Sequence, residues 1–296
     1  MTPSPNADPA RTPADGFRAD RHPRELRNYR YVYAVLSRRA KGLSVGINLT
    51  IDKRCSFNCL YCRVDRRCDP TPRQPVDLAR LAEELDDLLR DLTDGAAFKN
   101  PPFDSLPTDR RAIMDIAFSG DGEPTAVRQF PDCVRIVGAA LKKAGIPDTR
   151  VTLITNATGF RLPWMTDGLD ALRRLNSEIW AKLDAGTVGY YRRVNRSNAS
   201  FDKIIGNIAY ASKAVPVALQ TMLMAIDGEP PADSEIDAYI ERVRRLLSDG
   251  SDIRRILLYT VSRPPADSSA TALSSDALRS YVSRIEAGTG LPVEAF

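Results

Sequence analysis

The sequence predicts an α/β fold built on a parallel sheet, and three observations carry that reading. First, six runs, at 44–51, 112–119, 151–155, 178–183, 217–224 and 253–260, are short and largely apolar. Strands buried on both faces of a parallel sheet look like this. Second, the segments between them carry apolar residues at helical spacing. Third, strand and helix alternate along the chain, giving six βα units in line. Six units fit either an open doubly wound sheet or a partial barrel.

The helices are predicted at 76–92, 130–144, 164–175, 201–212, 233–247 and 275–287. The first is the clearest, with Leu78, Leu81, Leu85, Leu88, Leu89 and Leu92 forming one stripe. Asp233 and Ser275 read as N-caps of the last two, with acidic residues in the following turn. The stretch 95–111 contains Pro101, Pro102 and Pro107 and reads as a loop inserted before the second strand. Residues 1–28 are rich in Pro, Asp, Arg and Ala and are predicted to be a disordered tail, because they bury too little apolar surface to offset ordering entropy. Residues 29–296 are expected to form one domain, a length that α/β barrels reach.

Composition narrows the function. With 43% hydrophobic and 27% charged residues the chain has ordinary globular composition. It lacks an apolar stretch long enough to span a membrane, and the N-terminus lacks the apolar core of a secretory signal. A net charge of +4 is too small to argue for nucleic acid by itself. Basic clusters at 18–30, at Arg38, Arg39 and Lys41, at Arg63, Arg66 and Arg67, and at Arg192, Arg193 and Arg196 leave an anionic substrate open. The single histidine, His22, falls in the tail, so the folded part offers neither a His-based zinc site nor a Ser–His–Asp triad.

The chemistry therefore falls on cysteine. Three of the five cysteines, Cys55, Cys59 and Cys62, form a C-x3-C-x2-C run directly after the first predicted strand. Thiolates are soft anionic donors suited to iron–sulfur clusters. Three of them leave one iron of a cubane with an open position, as a catalytic centre requires. Cys68 is a possible fourth ligand, which makes a closed cluster or a structural zinc site the competing reading. Cys133 sits in a helical pattern and reads as a core thiol.

The run Cys55-Ser-Phe-Asn-Cys59-Leu-Tyr61-Cys62 and the turn Phe118-Ser-Gly-Asp-Gly-Glu-Pro-Thr125 together resemble the radical S-adenosylmethionine (SAM) superfamily. Within it the chain is most similar to the wyosine-synthase-related iron–sulfur oxidoreductases, through stretches at 36–48, 153–156, 182–185, 192–196 and 260–265. The resemblance implies a partial (β/α)6 barrel over roughly residues 30–296 with the site at the C-terminal ends of its strands. It implies that Cys55, Cys59 and Cys62 bind a [4Fe–4S] cluster and that SAM chelates the open iron. Gly120, Asp121, Gly122 and Glu123 would lie along the methionine amino group, and Tyr61 would flank the adenine. Asn156, Lys182 and Asp184 would reach the ribose or carboxylate, with a turn residue and a barrel ion pair as their bland alternatives. Gln220, Thr221, Tyr259 and Thr260 are further pocket candidates.

An external electron donor of flavodoxin or ferredoxin type would reduce the cluster, and SAM would be cleaved to a 5′-deoxyadenosyl radical that abstracts hydrogen from the substrate. The branch's archaeal forms carry a second cluster on upstream cysteines, whereas this chain has none before Cys55. One cluster and an unidentified substrate are therefore expected, the first candidate being an RNA base or nucleotide. A peptide, protein or small metabolite is the alternative substrate. A non-catalytic zinc- or cluster-stabilised binding protein is the alternative class. An oxygen-sensitive iron centre implies a reducing, cytoplasmic setting.

Overall fold

A computed structural model describes residues 29–37, 42–64, 74–101, 103–263, 265 and 267–296. The predicted tail 1–28, and with it His22, lies outside the described residues, as do Arg38, Arg39, Lys41, Arg66, Arg67 and Cys68.

Strand β1 (Val32–Ser37) pairs antiparallel with β2 (Gly42–Ile47). The chain then alternates helix and strand. Helix α1 (Leu78–Thr93) leads to β3 (Ile113–Phe118), α2 (Phe130–Lys143) to β4 (Arg150–Thr155), and α3 (Met165–Arg173) to β5 (Ser177–Lys182). Two helices, α4 (Val188–Asn195) and α5 (Phe201–Ser212), precede β6 (Val217–Met222). A small strand β7 (Ala225–Ile226) follows, then α6 (Asp233–Ser248) and β8 (Ile253–Tyr259). The chain ends with β9 (Ala270–Thr271), α7 (Ser275–Thr289) and β10 (Val293–Ala295).

The main sheet runs β1-β2-β3-β4-β5-β6-β8-β10, parallel throughout except for β1. This order decides between the two architectures left open by the sequence. A doubly wound sheet reverses its strand order at a switch point. Here the order never reverses and, among the described residues, the two edges stay unpaired, so the sheet is wound one way, as a partial barrel is. Burial agrees. Ile179, Ala181, Val217, Leu219, Ile256 and Leu258 join one large core with residues of α1, α2, α3, α5, α6 and α7. The opposite face carries a separate small cluster of Trp180, Ala218 and Leu257. Alternate residues of each strand thus face the helices and the barrel interior.

Several boundaries differ from expectation. The first parallel strand ends at Ile47 rather than at residue 51, and the segment 50–53 forms a turn instead, with the Lys53 N–H donating to Thr50 O at 2.9 Å and Lys53 taking a φ of 58°. The cap of α7 is Ser274, whose hydroxyl accepts the Ala277 N–H, so Ser275 is the first helical residue. Likewise Asp233 opens α6 and Ala232 caps it, which places Asp233 and Glu235 in the first turn, where they complement the helix dipole. The insertion 95–111 contains three short 3-10 turns and buries Phe103 and Leu106. The strands β1 and β10 and the helix α4 were absent from the sequence prediction. Just before β1, buried Glu84 of α1 accepts the Arg30 and Tyr31 N–H groups at 2.8 Å each. That bonding ties the edge strand to the first helix.

Candidate functional site

The cysteine loop leaves the C-terminal end of β2 and is clamped from two sides. Two backbone bonds hold it to the end of α4, Asn58 N–H to Asn195 O at 3.1 Å and Leu60 N–H to Val194 O at 2.7 Å. Buried Leu60 packs with Val194, Met224, Ile226 and Ala270. A turn closes the loop, with Cys62 N–H donating to Cys59 O at 2.9 Å. The three cysteines are half-buried residues. Burial pushes the Cys59 thiol up to about 12, against an opposing pull from Lys182. A metal that binds it must therefore displace a proton. Among the described residues no three His, Cys, Asp or Glu side chains converge on a single metal ion. A cubane needs no such convergence, since each thiolate takes its own iron.

The second clamp is the Gly–Asp–Gly–Glu turn after β3. A Cβ at Gly122 would lie 2.0 Å from the Arg54 carbonyl oxygen, and one at Gly120 would lie 2.2 Å from Asn48 Oδ1. These glycines let the turn press against the chain leading into Cys55, so their first use is loop-on-loop packing. The Glu123 N–H donates to that same Arg54 carbonyl at 3.1 Å. Asn48 and Asp121 bond reciprocally, at 2.8 Å through Nδ2 and 3.2 Å through the Asp121 N–H.

Glu123 turns into the protein. Its carboxylate is 2% exposed and accepts from Thr125 N–H, Thr125 Oγ1, Thr155 Oγ1 and Asn156 N–H. It joins the turn after β3 to the end of β4. Burial outweighs these four bonds and holds its pKa above the usual carboxylate range.

Asn156 is also committed to the protein. Its Oδ1 accepts from Thr158 N–H and Oγ1, and its Nδ2 donates to Cys55 Sγ at 3.4 Å and Ser56 Oγ at 3.0 Å. It is a turn residue that reaches the cysteine loop.

Tyr61, Lys182 and Asp184 do come together. The Tyr61 hydroxyl donates to Asp184 Oδ2 at 2.5 Å, and Lys182 Nζ lies 3.4 Å from that hydroxyl and 5.3 Å from the ring centroid. Lys182 and Asp184 thus share the tyrosine instead of pairing directly. Burial and the Asp184 charge raise the Tyr61 pKa far above the usual phenol value. Asp184 also accepts from Met222 N–H at 2.9 Å and Asn195 Nδ2 at 2.7 Å. Asn195, which the sequence reading assigned no role, is 1% exposed and donates in addition to Cys59 Sγ at 3.6 Å. Its sequence signal is its place in the 192–196 stretch that carries part of the family resemblance.

The further pocket candidates divide. Gln220 follows the interior face, level with Lys182 on the neighbouring strand, and its buried Oε1 has no partner among the described residues. Tyr259 stacks on Phe296 at 5.2 Å. Thr221 points to the helices and bonds the Tyr239 hydroxyl at 2.7 Å. Thr260 accepts the Leu273 N–H. Cys133 is fully buried in α2, as expected of a core thiol.

The one-way-wound, mostly parallel sheet, with three cysteines on the loop after β2, defines a class, the α/β partial barrels. Residues 49–243 match the model of the radical SAM superfamily, and the chain belongs to that superfamily. Its members use a [4Fe–4S] cluster and SAM.

The fold is similar to SuiB of Streptococcus suis bound to S-adenosylmethionine, at TM-score 0.57 and 12% identity over 87% of this chain and 52% of that one. It is similar to a radical SAM methyltransferase from Sphaerobacter thermophilus, at TM-score 0.62 and 14% identity over 90% and 68%. It also resembles TYW1 with a lysine–pyruvate adduct bound, at TM-score 0.54 and 14% identity over 87% and 84%. Identities this low show a shared fold alone. Among curated proteins, GTPase Obg of Brachyspira hyodysenteriae (strain ATCC 49526 / WA1) is 22% identical over 272 residues, 91% of this chain and 35% of that protein. The chain therefore spans about a third of the length of the curated relative it matches. None of its 17 glycines precedes a lysine, so the phosphate-binding P-loop signature of a GTPase is not in this sequence.

Proposed function

We propose that the chain is a one-cluster radical SAM enzyme in which Cys55, Cys59 and Cys62 hold the [4Fe–4S] cluster. The observation that carries the reading is the cysteine loop itself. It holds three half-buried cysteines at the barrel mouth, braced by the glycine turn on one side and α4 on the other. The donor set fits the group, being soft, anionic on binding and supplied with N–H donors at two sulfurs. The chemistry supplied by the bound cluster is one-electron reductive cleavage of SAM, followed by hydrogen abstraction from the substrate.

The protein's own residues bind, orient and exclude water. Gly120, Asp121 and Gly122 line the approach to the cluster with backbone, and Tyr61 offers an aromatic face beside it. Lys182, charged and half-buried, is placed to meet a carboxylate. Asp184 positions Tyr61 rather than the cofactor. Glu123 and Asn156 act one step back, by holding the turn and the Cys55 loop.

An external one-electron donor of flavodoxin or ferredoxin type and a reducing cytoplasmic setting belong to this proposal, as does a single domain over 29–296. An RNA base or nucleotide remains the first substrate candidate. Exposed Arg63 and Arg192 support it, while Arg193 and Arg196 pair with Asp227 and Asp267 and lend it less.

The test is anaerobic reconstitution of the full chain, iron and sulfide analysis, then incubation with dithionite and SAM. Formation of 5′-deoxyadenosine that disappears in a folded Cys59→Ala variant is expected. Zinc without iron, or a cluster whose spectrum ignores SAM, sinks the reading. Mass spectrometry of RNA and metabolite pools from the same incubation separates the substrate classes.

A further inference from the structure

We propose that Asn156 and Asn195 are positioning residues that raise the cluster's reduction potential by donating side-chain N–H···S hydrogen bonds to Cys55 and Cys59. This rests on the assignment of those cysteines as cluster ligands. The two amides come from different elements, the turn after β4 and the last residue of α4, yet each aims its Nδ2 at a different thiol, at 3.4 and 3.6 Å.

The orientation of both amides is dictated by their other partners. The Thr158 backbone N–H can only donate, so Asn156 must turn its Oδ1 toward it and its NH2 toward Cys55 and Ser56. A carboxylate oxygen can only accept, and Asp184 Oδ2 lies 2.7 Å from the Asn195 amide, so the NH2 of Asn195 must face it. One N–H of Asn195 goes to that carboxylate and the other to Cys59. Asn195 thus stands between a buried negative charge and a sulfur that becomes negative on binding metal.

Both side chains are also locked. Asn156 and Asn195 are 2% and 1% exposed. Glu123 accepts the Asn156 N–H at 2.7 Å, and the Asn195 carbonyl takes the Asn58 N–H at 3.1 Å. The Cys55 sulfur receives a backbone donor as well, Phe57 N–H at 3.4 Å. A fixed N–H dipole aimed at a thiolate stabilises the extra negative charge that reduction adds, which moves the potential upward. Such a dipole needs no reorganisation when the electron arrives. For an enzyme that must be reduced by an outside donor, this eases the first electron transfer.

The experiment is an EPR-monitored redox titration of the anaerobically reconstituted full chain, comparing wild type, Asn156→Leu, Asn195→Leu and the double variant. Thr158→Val is the control, because it removes a bond to the same Asn156 amide but no donor to sulfur. Each asparagine variant is expected to have a more negative midpoint than wild type, with the double variant lower still and the control unmoved. Asn156→Ala and Asn195→Ala replace any leucine variant that fails to fold.

Unchanged midpoints at wild-type iron and sulfide content overturn the proposal. So does a control that shifts as far as the asparagine variants. Loss of the cluster in the asparagine variants alone overturns it too, since the amides would then hold the loop and not the potential. A wild-type chain that takes up no cluster instead refutes the ligand assignment beneath it.

Discussion

Gly122→Ala is expected to destabilise the protein and to disturb the cysteine loop together, because one contact serves both. The added Cβ would sit 2.0 Å from the Arg54 carbonyl oxygen, 2.8 Å from its carbon and 2.8 Å from Thr50 Oγ1. Two of those atoms are backbone, so no rotamer change relieves the clash, and the segment 119–123 must move away from 50–54. Overpacking of this kind costs roughly 1–3 kcal/mol. The Glu123 N–H bond to the same carbonyl is stretched as well, adding about 1 kcal/mol. A total of about 3 kcal/mol corresponds to a fall in Tm of about 6–12 °C for a domain near this size.

The matched comparison is Gly206→Ala, within α5, where an added Cβ meets nothing within 4 Å. Relief of the glycine penalty in a helix predicts a gain of about 1 kcal/mol there. Differential scanning calorimetry of the apo chain reads both, and iron content after reconstitution reads the loop. If Gly122→Ala keeps the wild-type Tm and full iron content, the close approach of the two loops is not what requires the glycine.

Three further outcomes follow from the same site. Glu123→Gln places an amide N–H among four donors and should cost about 1–3 kcal/mol. Because burial raises the Glu123 pKa in the fold, its contribution is full below the unfolded value and is lost as pH rises through the folded one. Wild type should therefore lose part of its advantage over Glu123→Gln with rising pH, and urea midpoints measured across that window that diverge instead would contradict it. Asp267 is held at about 2 by Ser269 and Arg196, so its bonds to that serine and arginine persist above the ordinary carboxylate range and fail as pH falls through about 2. An NMR titration midpoint near 4 for its carboxyl would exclude that grip. Tyr61→Phe keeps the ring and should hold SAM affinity within about threefold, whereas Tyr61→Ala should weaken it roughly tenfold, the value of an aromatic contact. Calorimetry showing equal losses would remove the adenine-flanking role.

Much of the fold was legible because its signals are local. The α1 leucines repeat at helical spacing, and Leu81, Leu85, Leu88, Leu89 and Leu92 are all buried as that stripe requires. The elements that escaped prediction are those whose stability is tertiary. Helix α4 is eight residues long and carries an Arg pair, and part of its anchorage comes from Glu235 of α6, which accepts from Gly186, Thr187 N–H and Thr187 Oγ1. No window of sequence around 188–195 contains that partner. The site divides the same way. The cysteine spacing and the glycine turn could be read because a tight loop must encode its own ligands and its own φ/ψ needs. The inward turn of Glu123, and the reach of Asn156 and Asn195 to sulfur, depend on residues up to 136 positions apart.

By itself the sequence determined the class, an alternating α/β chain with three thiols on the loop after its first parallel strand, because periodicity and ligand spacing are properties of neighbouring residues. The tertiary structure decided the rest. Strand order, set by which edges pair, chose the one-way-wound sheet over the doubly wound one. Packing decided which polar groups face the cluster loop and which are consumed in holding it, since a buried donor or acceptor takes whichever partner the fold brings within hydrogen-bond distance.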